Sequence, residues 1–338
     1  MSRILENFSL KELNTFRVEA HARWFTEINE ESDLSELFAD ERWKNTKQLI
    51  LGGGSNMLFT QDFDGLVIKM NIRGLESETE GEDVFITAGA GEVWNDFVTY
   101  SVSRGYAGAE NLSLIPGSVG ASPIQNIGAY GVELKDVFHE CRAFEPGTGM
   151  IRRFSNEDCK FSYRDSIFKS VLKGRYIITE VIFKLSLIPH LKLEYGAIKD
   201  ELKNRGIDHP TIKDVSDVVS HIRVSKLPDP STIGNAGSFF KNPVIAVDNF
   251  RHLQSVFPDI VHFSDKSGME KISAGWLIEK CGWKGKIVGE TGTWKNQALV
   301  LVNHGKATGS AIYDLSSAII SDVKNISGIE LEREVNII

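Results

Sequence analysis

The chain has 338 residues, 41% of them hydrophobic and 25% charged, with a formal net charge of -8. This is the composition of a soluble globular protein, too long for one ordinary core, and it predicts two or three domains. The acidic balance and the lack of a basic cluster exclude a nucleic-acid or anionic-membrane surface, while a small anionic ligand could still be held by a few local Arg and Lys side chains.

In chain order, Leu49-Ile50-Leu51 is a short apolar run that stops at Gly52-Gly53-Gly54-Ser55-Asn56. Gly65–Met70 and Val84–Ala88 read as strands. Gly89-Ala90-Gly91 then leads into a helix, with Trp94, Phe97 and Val98 at helical spacing. Residues 112–131 hold too many glycines and prolines for regular structure. Strands are expected around 138–145 and 176–187, and a helical pattern covers 198–227. Lys226-Leu227-Pro228-Asp229-Pro230 breaks that pattern and marks a domain boundary. Beyond the loop at 234–243 the pattern predicts a helix over 273–282, its apolar face carrying Ala274, Leu277, Ile278 and Cys281. A buried strand over 298–302 follows, then a last helix marked by Ile312, Leu315, Ile319 and Val323. A short strand from Ile329 to Val335 closes the chain. Helices and strands mix without strict βαβ alternation, which favours α+β.

The cysteines are Cys141, Cys159 and Cys281. Their odd number and wide spacing give no disulfide framework and no zinc site, and no other metal site is expected. A reducing cytoplasm is the simplest location. The N-terminus lacks the apolar core of a secretory signal, and no stretch approaches the roughly 20 apolar residues needed to cross a bilayer.

Glycines at 52–54 allow backbone to approach a ligand closely, and successive N–H groups there could cradle a pyrophosphate; a plain tight turn explains them as well. Met57 stands where a dinucleotide fingerprint needs its third glycine, and no P-loop pattern occurs, so neither a Rossmann nor a P-loop protein is expected. The segment IPGSVGASPIQNIGAYG (115–131) is long, kinked and rich in small and amide side chains. With 52–56 it suits a flat nucleotide cofactor.

Three residues are candidates for chemistry. Ser238, in GNAGSFFKNP (234–243), lies outside any G-x-S-x-G elbow and has no nearby histidine. It is a poor nucleophile but can donate a proton to a carbanion, which points to reduction rather than hydrolysis. A loop hydroxyl bonded to backbone is the plainer alternative. Arg164 in Tyr163-Arg164-Asp165-Ser166 suits a carboxylate or enolate oxygen, unless it only pairs with Asp165. Glu332 and Glu334 alternate on one strand face, where burial would turn a glutamate into a neutral donor and solvent would leave it an ordinary edge charge.

GGGSN, IPGSVGASPIQNIGAYG, YRDSIFK, KLPDP, GNAGSFFKNP, AGWLIEKCGWKG, NQALVLVN and LEREV, in this order, closely resemble the UDP-N-acetylenolpyruvoylglucosamine reductase family over nearly the whole chain. The resemblance implies an α+β protein in three parts. A two-part FAD-binding region of the vanillyl-alcohol-oxidase type would span 1–70, joined by 329–338, and 71–227; a substrate-binding domain would span 228–328. FAD would be held by Gly52, Gly53, Gly54, Ser55 and Asn56, and by Ile115, Pro116, Gly117, Ser118, Gly120, Ala121, Gln125, Asn126, Gly128, Ala129 and Tyr130.

The implied activity is NADPH-dependent, FAD-mediated reduction of the enolpyruvyl ether of UDP-N-acetylglucosamine to UDP-N-acetylmuramate, in peptidoglycan precursor synthesis. A hydride would reach the methylene carbon. Arg164 would stabilise the enolate, Ser238 would supply the proton and Glu334 would assist at the carboxylate. Tyr195 resembles the tyrosine of the form with a substrate-capping loop. Tyr163, Lys226, Asn242 and Gln297 match substrate-contact positions. NADPH and the sugar nucleotide would share one site on a monomer. The tail after Glu334 is short, which leaves the hold on that strand open. A flavin oxidase or dehydrogenase for another substrate, and a silent sugar-nucleotide-binding protein, are the alternatives.

Overall fold

The computed structural model describes residues 3–264 and 268–338. Contacts divide the chain into two compact units, one of residues 1–8, 22–54 and 63–224, the other of residues 9–21, 55–62 and 225–338.

The first unit is built on two sheets. One has the order Leu5–Ser9, His21–Ile28, Phe63–Met70, Gln48–Leu51. Phe63–Met70 pairs in parallel with both neighbours, Val67 lying opposite Phe25 and Leu49. A central strand of this kind is covered on both faces, which accounts for the unbroken buried run Leu66-Val67-Ile68. Helix Glu31–Ala39 packs Leu34, Leu37 and Phe38 with Leu66 and Ile68, and Asp33 closes its capping box by accepting from the Glu30 N–H.

The second sheet is antiparallel, in the order Met150–Ser155, Phe138–Glu145, Ile177–Ser186, Asp83–Gly89, Leu75–Glu80. Helix Trp94–Ser103 buries its predicted face on it: the Phe97 ring stacks on Phe183 at 4.1 Å, and Trp94 Nε1 donates to Leu112 O at 2.9 Å. The two sheets are tied by Glu31, which accepts from Arg142 Nη2 at 2.7 Å and from Thr179 Oγ1 at 2.6 Å.

The single helical pattern expected over 198–227 is two helices, Gly196–Asn204 and Ile212–Lys226. Gly206 takes the left-handed conformation (φ 66°) that ends the first, and Pro210 cannot continue it. The second starts afresh from a Thr211/Asp214 box, Thr211 N–H donating to Asp214 Oδ2 at 2.8 Å and Asp214 N–H to Thr211 Oγ1 at 3.2 Å. Apolar spacing persists because both helices bury Ile198, Leu202, Val215 and Val219 in one small core.

The second unit holds two three-stranded sheets, Val244–Ala246, Met269–Ile272, His262–Ser264 and Ile287–Val288, Thr291–Trp294, Gln297–Asn303. The predicted helix at 273–282 is Ala274–Lys280, capped by Ser273 Oγ, and the last helix is Gly309–Ser327, with Ile312, Leu315, Ile319 and Val323 buried. The strand expected over 329–335 is not continuous. Arg333 makes one isolated bridge to Phe240, and regular pairing exists only at Asn336–Ile337, parallel to Met57–Leu58. The segment changes partner partway, so no single ladder runs its length.

Among the described residues no helix is long and apolar enough to cross a membrane, and no group of three or more His, Cys, Asp or Glu could hold a metal ion. At Gly309 a Cβ would overlap the carbonyl oxygen of Phe59, backbone that cannot swing aside. Gly309→Ala is expected to destabilise the fold by about 2 kcal/mol or more in chemical denaturation, against less than about 0.5 kcal/mol for Ser310→Ala at its exposed neighbour.

Candidate active site

In the first unit, residues 52–54 leave the end of the strand Gln48–Leu51 and meet the loop at 117–121. A Cβ at Gly52 would overlap Ser118 Oγ, and one at Gly53 would lie 2.8 Å from Gly117 Cα. The loop is pinned from below: Trp94 N–H donates to Gly117 O at 3.0 Å, Val119 N–H to Glu92 O at 2.8 Å and Gly120 N–H to Ala90 O at 2.9 Å. Gly120 lies on Ala90, where an added Cβ would stand 2.5 Å from the alanine methyl. Ser118 Oγ is buried and has no hydrogen-bond partner among the described residues. A buried hydroxyl in that state calls for an external partner.

Lys69, at the end of the central strand, donates Nζ to Gly52 O, and burial pulls its pKa below the ordinary lysine value. With that carbonyl occupied, the turn is left richer in N–H donors, as an anion requires. Sequence reading missed Lys69; its signal was a lone cation inside the apolar run Leu66-Val67-Ile68-Lys69-Met70.

The longer segment contains strained backbone. Leu114, Asn126 and Tyr130 have φ of 57°, 46° and 51°, and Arg164, packed beside it, has 55°. Non-glycine residues in this region cost about 1–3 kcal/mol each and cluster at functional sites. The Asn126 side chain is committed to scaffold: Nδ2 donates to Glu133 Oε2 (3.2 Å) and Ser162 O (3.0 Å), and Oδ1 accepts from Lys135 N–H (3.0 Å). Only its backbone is left to meet a ligand.

Arg164 sits in a tight turn closed by Ser162 N–H to Asp165 O (3.1 Å) and Asp165 N–H to Ser162 O (3.2 Å). Its Nη2 donates to Gly128 O at 2.8 Å, while Asp165 Oδ1 accepts from Ser166 N–H at 2.9 Å. The guanidinium is therefore anchored to the glycine-rich segment. A second guanidinium stands near it. Burial lowers the pKa of Arg223, Tyr130 opposes that shift and the Arg164 charge adds to it. Arg223 has no hydrogen-bond or ion-pair partner among the described residues. Tyr130 packs edge-on against Tyr195 at 5.2 Å, and burial raises its pKa. Arg223 was missed in the sequence because it reads there as the polar face of a helix.

In the second unit, Asn235 rigidifies the serine loop: its Nδ2 donates to Pro228 O (3.2 Å) and Ile233 O (3.0 Å), and its Oδ1 accepts from Gly237 N–H (3.0 Å). Ser238 is exposed between Gly237, at φ 69°, and the fully buried Phe239 and Phe240. Among the described residues nothing bonds its hydroxyl, so the backbone-bonded alternative does not describe it. Phe239 N–H donates to Leu299 O and Glu334 N–H to Phe239 O, both at 2.8 Å. Ser238 and Glu334 thus lie on adjoining segments of one small ladder. Glu332, by contrast, forms an exposed ion pair with Lys241 at 2.5 Å.

The remaining candidates gather near the start of helix Ala274–Lys280. Asn242 Oδ1 accepts from Ala274 N–H at 2.9 Å, and a Cβ on Gly275 would stand 2.9 Å from Gln297 Oε1. Asn296 Nδ2 donates at 3.0 Å to the carbonyl of Ser225, next to Lys226. Lys226, Asn242 and Gln297 are brought together on this unit; Tyr163, Arg164 and Tyr195 belong to the other.

A family model described as "FAD binding domain" matches residues 24–155, and one described as "UDP-N-acetylenolpyruvoylglucosamine reductase, C-terminal domain" matches residues 229–338. UDP-N-acetylenolpyruvoylglucosamine reductases of Flavobacterium johnsoniae and Pseudomonas fluorescens are 47% and 46% identical to this chain, over 99% and 97% of its length and the same shares of theirs. Among solved structures, the UDP-N-acetylenolpyruvylglucosamine reductase of Thermus caldophilus aligns over 100% of this chain and 98% of its own, with a TM-score of 0.68 and 22% identity. The 6-hydroxy-D-nicotine oxidase of Arthrobacter nicotinovorans aligns over 99% and 89%, with a TM-score of 0.56 and 11% identity. These two speak for the fold alone, which is α+β.

The glycine cradle and the unpartnered Ser118 hydroxyl lie within the residues matched to the FAD-binding model and fit a phosphorylated cofactor. Gly53→Ala is expected to weaken FAD retention at least tenfold, because the added methyl meets backbone. Ser118→Ala should weaken it about fivefold, the value of roughly 1 kcal/mol for one hydrogen bond, with the fold intact. Flavin released on dilution, read by its fluorescence, checks both.

Proposed function

The chain belongs to the UDP-N-acetylenolpyruvoylglucosamine reductase family of FAD-dependent oxidoreductases, and from that premise we propose that it reduces the enolpyruvyl ether of UDP-N-acetylglucosamine to UDP-N-acetylmuramate, at the expense of NADPH, in peptidoglycan precursor synthesis. FAD, when bound, supplies the two-electron carrier that links NADPH to the methylene carbon of the substrate. Gly52, Gly53 and the 115–130 segment hold it, with Lys69 fixing the turn.

The observation that most supports this reading is the ladder on which the Ser238 loop is hydrogen-bonded to the segment carrying Glu334. Reduction at the methylene carbon puts negative charge on the neighbouring carbon and, through it, on the carboxylate oxygens. Arg164, its guanidinium already aimed by the bond to Gly128 O, meets that charge without reorganising. Glu334 acts as a neutral acid at the same carboxylate. Ser238 Oγ–H then gives its proton to the carbon. A weak acid suffices because the enolate is strongly basic, and the buried Phe239 and Phe240 hold the loop that presents the hydroxyl.

Tyr163, Tyr195, Lys226, Asn242 and Gln297 bind the sugar nucleotide in this reading. Lys226 is exposed and unpaired among the described residues, which suits a phosphate. Asn242 keeps its amide donor free after its oxygen is used at Ala274. NADPH and the sugar nucleotide use one site in turn, and the chain acts as a cytoplasmic monomer. The three-part division at about 70 and 227 is part of the same proposal. Two separate sheets within residues 1–187 support its first two parts.

Anaerobic spectroscopy tests the reading: the bound flavin should bleach with NADPH and regain colour with the enolpyruvyl sugar nucleotide. A flavin that bleaches and stays bleached with that substrate would refute it. Ser238→Ala is expected to leave bleaching by NADPH within about twofold of wild type and to slow recolouring by about 10²–10⁴-fold. Equal losses in both half-reactions would remove the proton-donor role.

A further inference from the structure

The GGGSN motif ends in a residue whose side chain reaches the C-terminal segment. Asn56 Nδ2 donates to the carbonyl of Glu334 at 3.3 Å. The Asn56 carbonyl in turn accepts from the Asn336 N–H at 3.1 Å and from Asn336 Nδ2 at 2.9 Å. On the other side, Glu334 N–H donates to Phe239 O at 2.8 Å. Both peptide groups flanking the Glu334 side chain are therefore held, by two segments far apart in sequence.

We propose that Asn56 is a positioning residue for Glu334: its side-chain amide fixes the backbone that aims the carboxyl. The proposal rests on the role given to Glu334 above. Its physical basis is the sparse pairing of this segment, one isolated bridge at Arg333 and a regular ladder only at Asn336–Ile337. A segment with few backbone pairs is held only as well as its single ties, and a misplacement of about 1 Å can cost a reaction about 10²-fold. The tail has other ties. Ile338 N–H donates to Leu58 O at 2.9 Å, and Thr60 N–H and Oγ1 donate to Ile338 O at 2.9 and 2.8 Å. None of these grips Glu334 itself. Removing the Asn56 amide should release that one carbonyl and leave the strand Asn336–Ile337 paired. Asparagine suits this role because its side-chain oxygen and nitrogen are independent of its backbone, and only the nitrogen can donate to a carbonyl.

The test uses the full-length, flavin-loaded chain with Asn56→Ala, the isosteric Asn56→Asp, Glu334→Gln and the double variant Asn56→Ala/Glu334→Gln. Both Asn56 variants are measured with FAD added to saturation, so that any loss of cofactor grip is separated from the step at Glu334. Recolouring by the enolpyruvyl sugar nucleotide should slow 10–100-fold, in the limiting rate and not in the substrate concentration for half-maximal rate. In the Glu334→Gln background, Asn56→Ala should cost less than twofold more, because the amide acts only through that carboxyl. Losses that multiply in the double variant, or a recolouring rate unchanged in the FAD-saturated Asn56→Ala variant, would overturn the proposal.

Hydrogen exchange supplies a readout independent of turnover. Amides of a peptide covering 331–338 should exchange faster in Asn56→Ala than in wild type, and unchanged exchange would also overturn it. A wild-type flavin that fails to recolour with the substrate would instead sink the proposed reaction, while the exchange result still decides whether Asn56 holds the segment.

Discussion

No side chain fits between residues 52–53 and 117–118. That close backbone approach is the constraint on which the first unit depends. It requires the strand Gln48–Leu51 to end in glycine, and it requires the opposite loop to be held from beneath by Ala90, Glu92 and Trp94. It also requires the two sheets to be fixed to each other, which Glu31 does by accepting from Arg142 and Thr179. Ser118 is then left buried with its hydroxyl unpartnered among the described residues, and Lys69 occupies the Gly52 carbonyl. The packing at this place follows from the absence of two Cβ atoms.

The second unit solves a different problem, that of holding an exposed hydroxyl still. Asn235 locks the turn before Ser238, and Phe239 and Phe240 anchor the chain after it. The C-terminal segment takes its neighbours in succession, first the serine loop and then Met57–Leu58. This is why it is not one strand.

Much of this was legible in the sequence because its causes are local. The strands at 138–145 and around 298–302 and the helix faces at Trp94 and Ile312 follow from apolar period and burial. Glycines at 52–54 and the phenylalanines beside Ser238 carry the chemistry in their type alone. The failures have physical reasons too. The break between Asn204 and Ile212 was hidden because two helices share one core and so keep one apolar spacing. Lys69, Arg223 and the hold of Asn56 on Glu334 depend on tertiary placement; a lysine in a strand or an arginine on a helix does not reveal what it faces. Asn126 reads as a ligand amide, yet its side chain is spent on three scaffold bonds, because a residue at positive φ in a tight loop needs local support.

Burial depresses the pKa of Arg223 and the charge of Arg164 adds to that, while Arg223 has no hydrogen-bond or ion-pair partner among the described residues. An anion arriving beside them meets two positive charges already held by the fold, so part of its attraction is in place before any new contact forms.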